Sequence, residues 1–80
     1  MQAGIEEIDL HGKNVYQAKI TLDAALRKAG GGVYRLRVIH GYHGGEALKK
    51  LTAEYASHPK VLRIIPSPDG GQTDLVLREL

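Results

Sequence analysis

Three of the four histidines in this 80-residue chain, His11, His40 and His43, each precede or closely neighbour a glycine, and Asp9 stands two residues before the first of them. Imidazole serves as base or acid near neutral pH, because histidine's unperturbed pKa is about 6.5. Glycines let the backbone approach an anion closely. Cleaving a phosphodiester needs a base for the nucleophile, an acid for the leaving oxygen and positive charge at the phosphoryl oxygens. His11 and His40 are the candidates for base and acid. Asp9 would orient a histidine or help hold a divalent cation such as Mg2+, while the glycine-loop N–H groups with Lys or Arg would bind phosphate. On RNA the 2′-hydroxyl could act as nucleophile without a metal. The same residues also allow quieter roles: Asp9 capping its turn, His11 tied to backbone, and His40 buried and hydrogen-bonded. His43 reads as an exposed loop residue or phosphate contact, and His58, before Pro59, as structural. A fixed metal site is not expected, because two histidines at i, i+3 in a glycine-rich turn are not held rigidly.

Those residues need elements to position them. Ile8 and Leu10 alternate with Asp9 and His11, so a strand with one buried face is expected over about Ile5–His11. Val15, Ala18, Leu22, Ala25, Leu26 and Ala29 then share one helical stripe, with Asn14 and Gln17 as an N-cap pair and Gly30-Gly31-Gly32 as the stop. Val33–His40 reads as a second strand and Glu46–Ser57 as a second amphipathic helix, ended by Pro59. Val61–Ile65 and Thr73–Leu80 complete the pattern as strands around the turn formers Pro66–Gly71. The order β-α-β-α-β-β implies an α/β two-layer sandwich: a four-stranded mixed sheet, both helices on one face, the last two strands antiparallel. The turns holding His11-Gly12 and His40–Gly45 then lie together at the carboxyl edge of parallel strands, where open α/β sheets take ligands.

Alternation carries a second expectation. If Ile8, Leu10, Leu36, Val38, Leu62, Ile64, Leu75 and Leu77 face the helices, then Arg35, Arg37, Arg63 and Arg78 share the open face with Val61, Ile65 and Val76. Lys13, Lys49 and Lys50 extend a basic edge near the helix starts. Arginine binds phosphate bidentately and stacks on bases, so this face reads as a nucleic-acid surface. Arginines also keep an exposed sheet soluble and discourage edge pairing. Tyr42 at the loop tip would stack on a base, whereas Tyr16 and Tyr55 read as helix packing.

Composition sets the frame. Hydrophobic residues make up 42% and charged residues 25%, the balance of a globular chain, expected to form a single domain over residues 1–80 with 1–4 as a flexible lead. A chain this small buries only roughly 60–65% of its unfolded surface, too little to enclose a deep pocket. No cysteine is present, which excludes disulfides, thiol nucleophiles and cysteine-based zinc sites. No apolar run or signal-like start is seen, so a cytoplasmic protein without membrane contact is expected, as a monomer or weak oligomer.

Ile8-Asp9-Leu10-His11-Gly12 and Val38-Ile39-His40-Gly41, separated by a helix, resemble the paired motifs of the small MutS-related (Smr) domain family. The likeness continues through Ala47-Leu48, Ser57–Val61 and Gly70–Leu77, and so covers nearly the whole chain. This resemblance implies a fold like the C-terminal domain of bacterial translation initiation factor three. It also implies DNA or RNA binding, with nicking endonuclease activity in several members. Asp9 and His11 fall on the first motif, and His40 and Gly41 on the second. The chain departs from the family just afterwards, with His43 where the second loop glycine stands and a Gly44-Gly45-Glu46 stretch one residue longer.

The candidate interface is therefore Gly12, Lys13, Arg35, Arg37, Gly41, Tyr42, His43, Gly44, Gly45, Lys49, Lys50, Arg63 and Arg78, around the candidate catalytic groups Asp9, His11 and His40. Rival readings are a non-catalytic DNA or RNA binder and a protein-interaction module using the open sheet. Gly41-Tyr42-His43-Gly44 has the outline of a KH loop, but that loop joins two helices and here a strand precedes it. No Lys-Ser or Lys-Thr follows the glycines, which excludes a Walker loop.

Overall fold

Asn14 starts the first helix by a reciprocal cap. Its Oδ1 accepts the Gln17 N–H at 2.7 Å, and Gln17 Oε1 accepts the Asn14 N–H at 3.0 Å. Helix α1 then runs Val15–Lys28 and buries Ala18, Leu22 and Leu26. Arg27 and Lys28 complement the negative end of its dipole, and Lys60 Nζ donates to the Leu26 carbonyl at 2.7 Å. The structure is a computed structural model that describes residues 3–41 and 46–79. Its other elements are β1 (Ile5–Asp9), β2 (Arg35–Ile39), α2 (Glu46–Glu54, continued by a 3-10 turn over Tyr55–Ser57), β3 (Arg63–Pro66) and β4 (Gln72–Val76). Among the described residues no helix is long and apolar enough to cross a membrane.

The sheet has the order β1-β2-β4-β3. Strands β1 and β2 pair in parallel from Ile5↔Arg35 to Asp9↔Ile39, as a strand–helix–strand connection requires. β4 returns antiparallel between β2 and β3, with Leu36↔Leu75 and Ile64↔Leu75 in register. Both helices cover one face, where Ile8, Leu10, Leu36, Val38 and Leu75 meet Leu22, Leu26, Leu48, Leu51 and Tyr55 in one core. The α/β sandwich with a mixed four-stranded sheet is thus the one that the periodicities imply.

Alternation misplaces one pair of residues. Val61, expected on the open face, is buried, and Leu62, expected inside, is 57% exposed. The cause is local: β3 begins only at Arg63, and the Val61 N–H closes a turn onto the His58 carbonyl at 2.9 Å. Val76 does belong to the open face, yet it is buried, with Arg35 and Arg63 as its lateral neighbours there. The strands are also shorter than expected, so His11 and His40 stand just beyond strand ends. Nor is Gly4 a loose lead residue: its carbonyl accepts the N–H groups of Tyr34 and Arg35 at 2.8 and 3.3 Å.

Tyr55 ties the helices together. Its hydroxyl donates to Asp23 Oδ1 at 2.6 Å, and its ring stacks on His58. Burial first, and then Asp23, raise the phenol's pKa far above the usual tyrosine value. Folding therefore favours the protonated form, and this stability is whole below the unfolded pKa of about 10 and drains away as pH rises above it. Tyr55→Phe is expected to lose about 1 kcal/mol at pH 7 and to show a shallower fall in stability above pH ~10 than the wild type. Denaturant unfolding at neutral and alkaline pH measures both effects.

Candidate nucleic-acid interface

Three turns meet at one end of the sheet. The first follows β1, where the Asp9 carboxylate accepts the His11 N–H at 2.9 Å and the Lys13 N–H bonds the Leu10 carbonyl at 2.9 Å. Gly12 completes this turn with a φ of 82°, a backbone state that side chains resist. The second turn begins at His40-Gly41 after β2. The third joins β3 to β4, and Asp69 braces it by accepting from Ser67 Oγ and the Gly71 N–H. The Gly71 carbonyl in turn accepts the N–H groups of His40 and Gly41, at 3.1 and 3.0 Å. Hydrogen bonding thus locks the second motif to the β3–β4 turn.

The two motifs touch through His11 and Gly41. Gly41 has a φ of 80°, and a Cβ built there would lie 3.6 Å from His11 Cδ2. The imidazole of the first motif therefore packs against the bare backbone of the second. His11 is exposed. His40 is the reverse, only 1% exposed, with Nε2 3.0 Å from Thr73 Oγ1 and Nδ1 3.4 Å from the Gly41 carbonyl. Of the quieter roles considered from sequence, Asp9 does cap its turn and His40 is buried and bonded.

Several backbone N–H groups at this edge are committed within the described residues. Asn14 and Gln17 occupy two donors at the start of α1, and the Gly41 N–H goes to Gly71. The side-chain cations described at this edge are lysines. Lys13 and Lys50 are exposed, and Lys49 reaches across to the β3–β4 turn, its Nζ 3.8 Å from where a Gly70 Cβ would stand. Tyr42, His43, Gly44 and Gly45 lie outside the described residues.

The arginine face differs most from expectation. Arg35, Arg37 and Arg63 do share the open side of the sheet, but carboxylates occupy them. Asp74, on β4 between them, takes Arg35 Nη1 at 3.1 Å and Arg37 Nε at 3.3 Å, and it is buried. Glu7 stands beside Arg37 in register, and Asp74 followed by Glu7 holds the Arg37 pKa above its usual value. Arg63 pairs with Glu79 at 2.8 Å, which lowers the Glu79 pKa. Arg78 lies past the end of β4, its guanidinium against Gly31 at the opposite end of the sheet from His11. The open face is a neutralised lattice rather than a free basic surface.

Sequence reasoning missed Asp74, Thr73 and Gly71. Parity places Asp74 with the arginines and Thr73 with His40, but only the strand order shows that β4 is their neighbour. Tyr16 is the other miss: it is 73% exposed rather than packed. Its position off the Ala18–Leu22–Leu26 stripe carried that signal.

Among the described residues no three His, Asp or Glu groups come together to hold a metal ion. Asp9 alone, with one oxygen already accepting a hydrogen bond, does not fit a resident Mg2+.

Comparison with known proteins agrees with this geometry. No curated protein matches the chain. The crystal structure of the Smr domain of Thermus thermophilus MutS2 is similar, with a TM-score of 0.79 at 32% identity over 92% of this chain and 99% of that one. The family model of the Smr domain matches residues 8–73, a span that contains both motifs, the helix between them and the β3–β4 turn bonded to the second motif. The chain belongs to the Smr domain family.

Proposed function

We propose that this domain binds RNA at the edge formed by His11, Lys13, Gly41, Lys49 and Lys50, and cuts its backbone there with His11 as the proton-transfer group. Smr domains generally bind nucleic acid, and some members nick it. The observation that carries the reading is the contact between motifs: an exposed imidazole, pinned through its backbone by Asp9, rests on Gly41. RNA suits the residues better than DNA, because it supplies its own nucleophile where the described donors do not fit a resident metal. In such a step His11 takes the 2′-hydroxyl proton, the 2′ oxygen bonds to phosphorus, and the 5′ oxygen leaves with a proton from water. The products are a 2′,3′-cyclic phosphate and a 5′-hydroxyl. Asp9 and His40 act by position: Asp9 holds the His11 backbone, and His40 joins Gly41 to β4 through Thr73.

The burial of His40 favours a second reading, a binder that does not cut, since no second described imidazole is exposed at the edge. Both readings predict salt-dependent binding. Three lysine–phosphate contacts give log K against log[salt] a slope of about −2 for a single strand, and Lys13→Gln reduces it by about 0.7. Fluorescence anisotropy across a salt series measures this. An affinity that is flat in salt overturns both readings and points to protein docking. Product analysis by gel then separates the cutter, which leaves cyclic-phosphate ends, from the binder, which leaves RNA intact.

A further inference from the structure

We infer that Tyr16 is the base-stacking platform of this domain, so that a single strand bound at the edge continues along the groove between α1 and α2 rather than across the sheet. The inference rests on the RNA-binding reading and extends it to a face outside both motifs.

Three observations carry it. Tyr16 is the most exposed large apolar side chain described, at 73%, and its hydroxyl makes no hydrogen bond among the described residues. A ring so placed contributes nothing to the core. Next, its direction is determined by the helix period. Tyr16, Lys19, Ile20 and Asp23 are spaced i, i+3, i+4 and i+7, so they form one flank of α1. Tyr55 identifies that flank as the one toward α2, by bonding Asp23 and the Lys19 carbonyl. Tyr16 is at the N-terminal end of the flank, in the first turn after His11-Gly12-Lys13. Finally, the surroundings suit a nucleotide. Lys13 and Lys19 stand three residues to either side of Tyr16 in sequence, both exposed, and the first turn of α1 carries no acidic residue. Lysine is depleted at protein–protein interfaces, whereas aromatic rings set among cations are the means by which proteins hold unpaired bases.

Because the ring is largely exposed, Tyr16→Ala leaves the fold intact, and alanine's higher helix propensity offsets any small loss. This makes binding a direct readout. With a short unstructured RNA oligonucleotide, Tyr16→Ala is expected to weaken Kd by about 5- to 150-fold, the range for losing one base–aromatic stack. Tyr16→Phe and Tyr16→Trp are expected to stay near wild type, and bound RNA should quench the new tryptophan's fluorescence. The salt slope stays unchanged in Tyr16→Ala, since no phosphate contact is lost. Equal affinity of Tyr16→Ala and wild type, with Lys13→Gln still weakened, overturns the stacking role and leaves the RNA-binding reading standing. No salt-dependent binding by wild type removes that reading and this inference together. A wild-type dimer that Tyr16→Ala dissolves overturns the inference by placing a second copy on the ring.

Discussion

Replacing His11 by alanine is expected to slow RNA cleavage by about 10²- to 10⁴-fold, the usual contribution of a positioned acid–base group, while changing RNA affinity by no more than a few-fold. The split follows from where His11 sits. Its side chain is exposed, so truncation opens no core cavity. Its backbone N–H keeps the Asp9 bond whatever the side chain is. His40→Ala should behave differently. That side chain is fully buried, and its loss leaves the Thr73 hydroxyl without its partner, at a cost of about 2 kcal/mol in stability. Activity of this variant falls with the folded fraction, and His40→Ala at low temperature, where it is folded, retains cleavage. Rate assays beside thermal unfolding distinguish the two positions. Undiminished cleavage in His11→Ala removes the catalytic assignment.

Replacing Asp74 by alanine is expected to destabilise the domain by about 2–3 kcal/mol, lowering Tm by roughly 10–20 °C. Asp74 is the one carboxylate that Arg35 and Arg37 share, and its side chain is only 7% exposed. The arginine side chains are 26% and 23% exposed, so water recovers part of the loss, which holds the figure below that of a wholly buried pair. Asp74→Asn keeps an oxygen acceptor and should lose less. The same variant tests where RNA runs. Removing the Asp74 charge frees two cations on the sheet face. RNA affinity should rise several-fold if the strand crosses that face, and stay within about twofold if it follows the edge and α1. The path proposed along α1 predicts the second outcome. An Asp74→Ala protein as stable as wild type shows that the pair is not structural.

The contrast between Asp9 and Asp74 shows what a linear reading can reach. Asp9 and His11 act within one turn, so their spacing already contains the hydrogen bond that joins them. Asn14 and Gln17 likewise cap α1 from three residues apart. Asp74 acts on partners 37 and 39 residues away. Its role depends on β4 lying between β2 and β3, an order that alternation leaves open because several arrangements bury the same leucines. Val61 and Leu62 show the same limit at short range. Period two holds only while the chain is a strand, and here a turn extends to Val61.

By itself the sequence determined the two-layer architecture, the parallel β1–β2 pair, the edge at which both motifs gather and the family. Each follows from local periodicity, capping and chain connectivity. Only the tertiary structure decided that the arginine face is neutralised, that His40 is interior and His11 exposed, and that Tyr16 stands free beside the site. Those properties depend on which strand lies beside which, and on the surface each helix leaves uncovered. Charge and burial are set by neighbours in space, and most of these neighbours are far away along the chain.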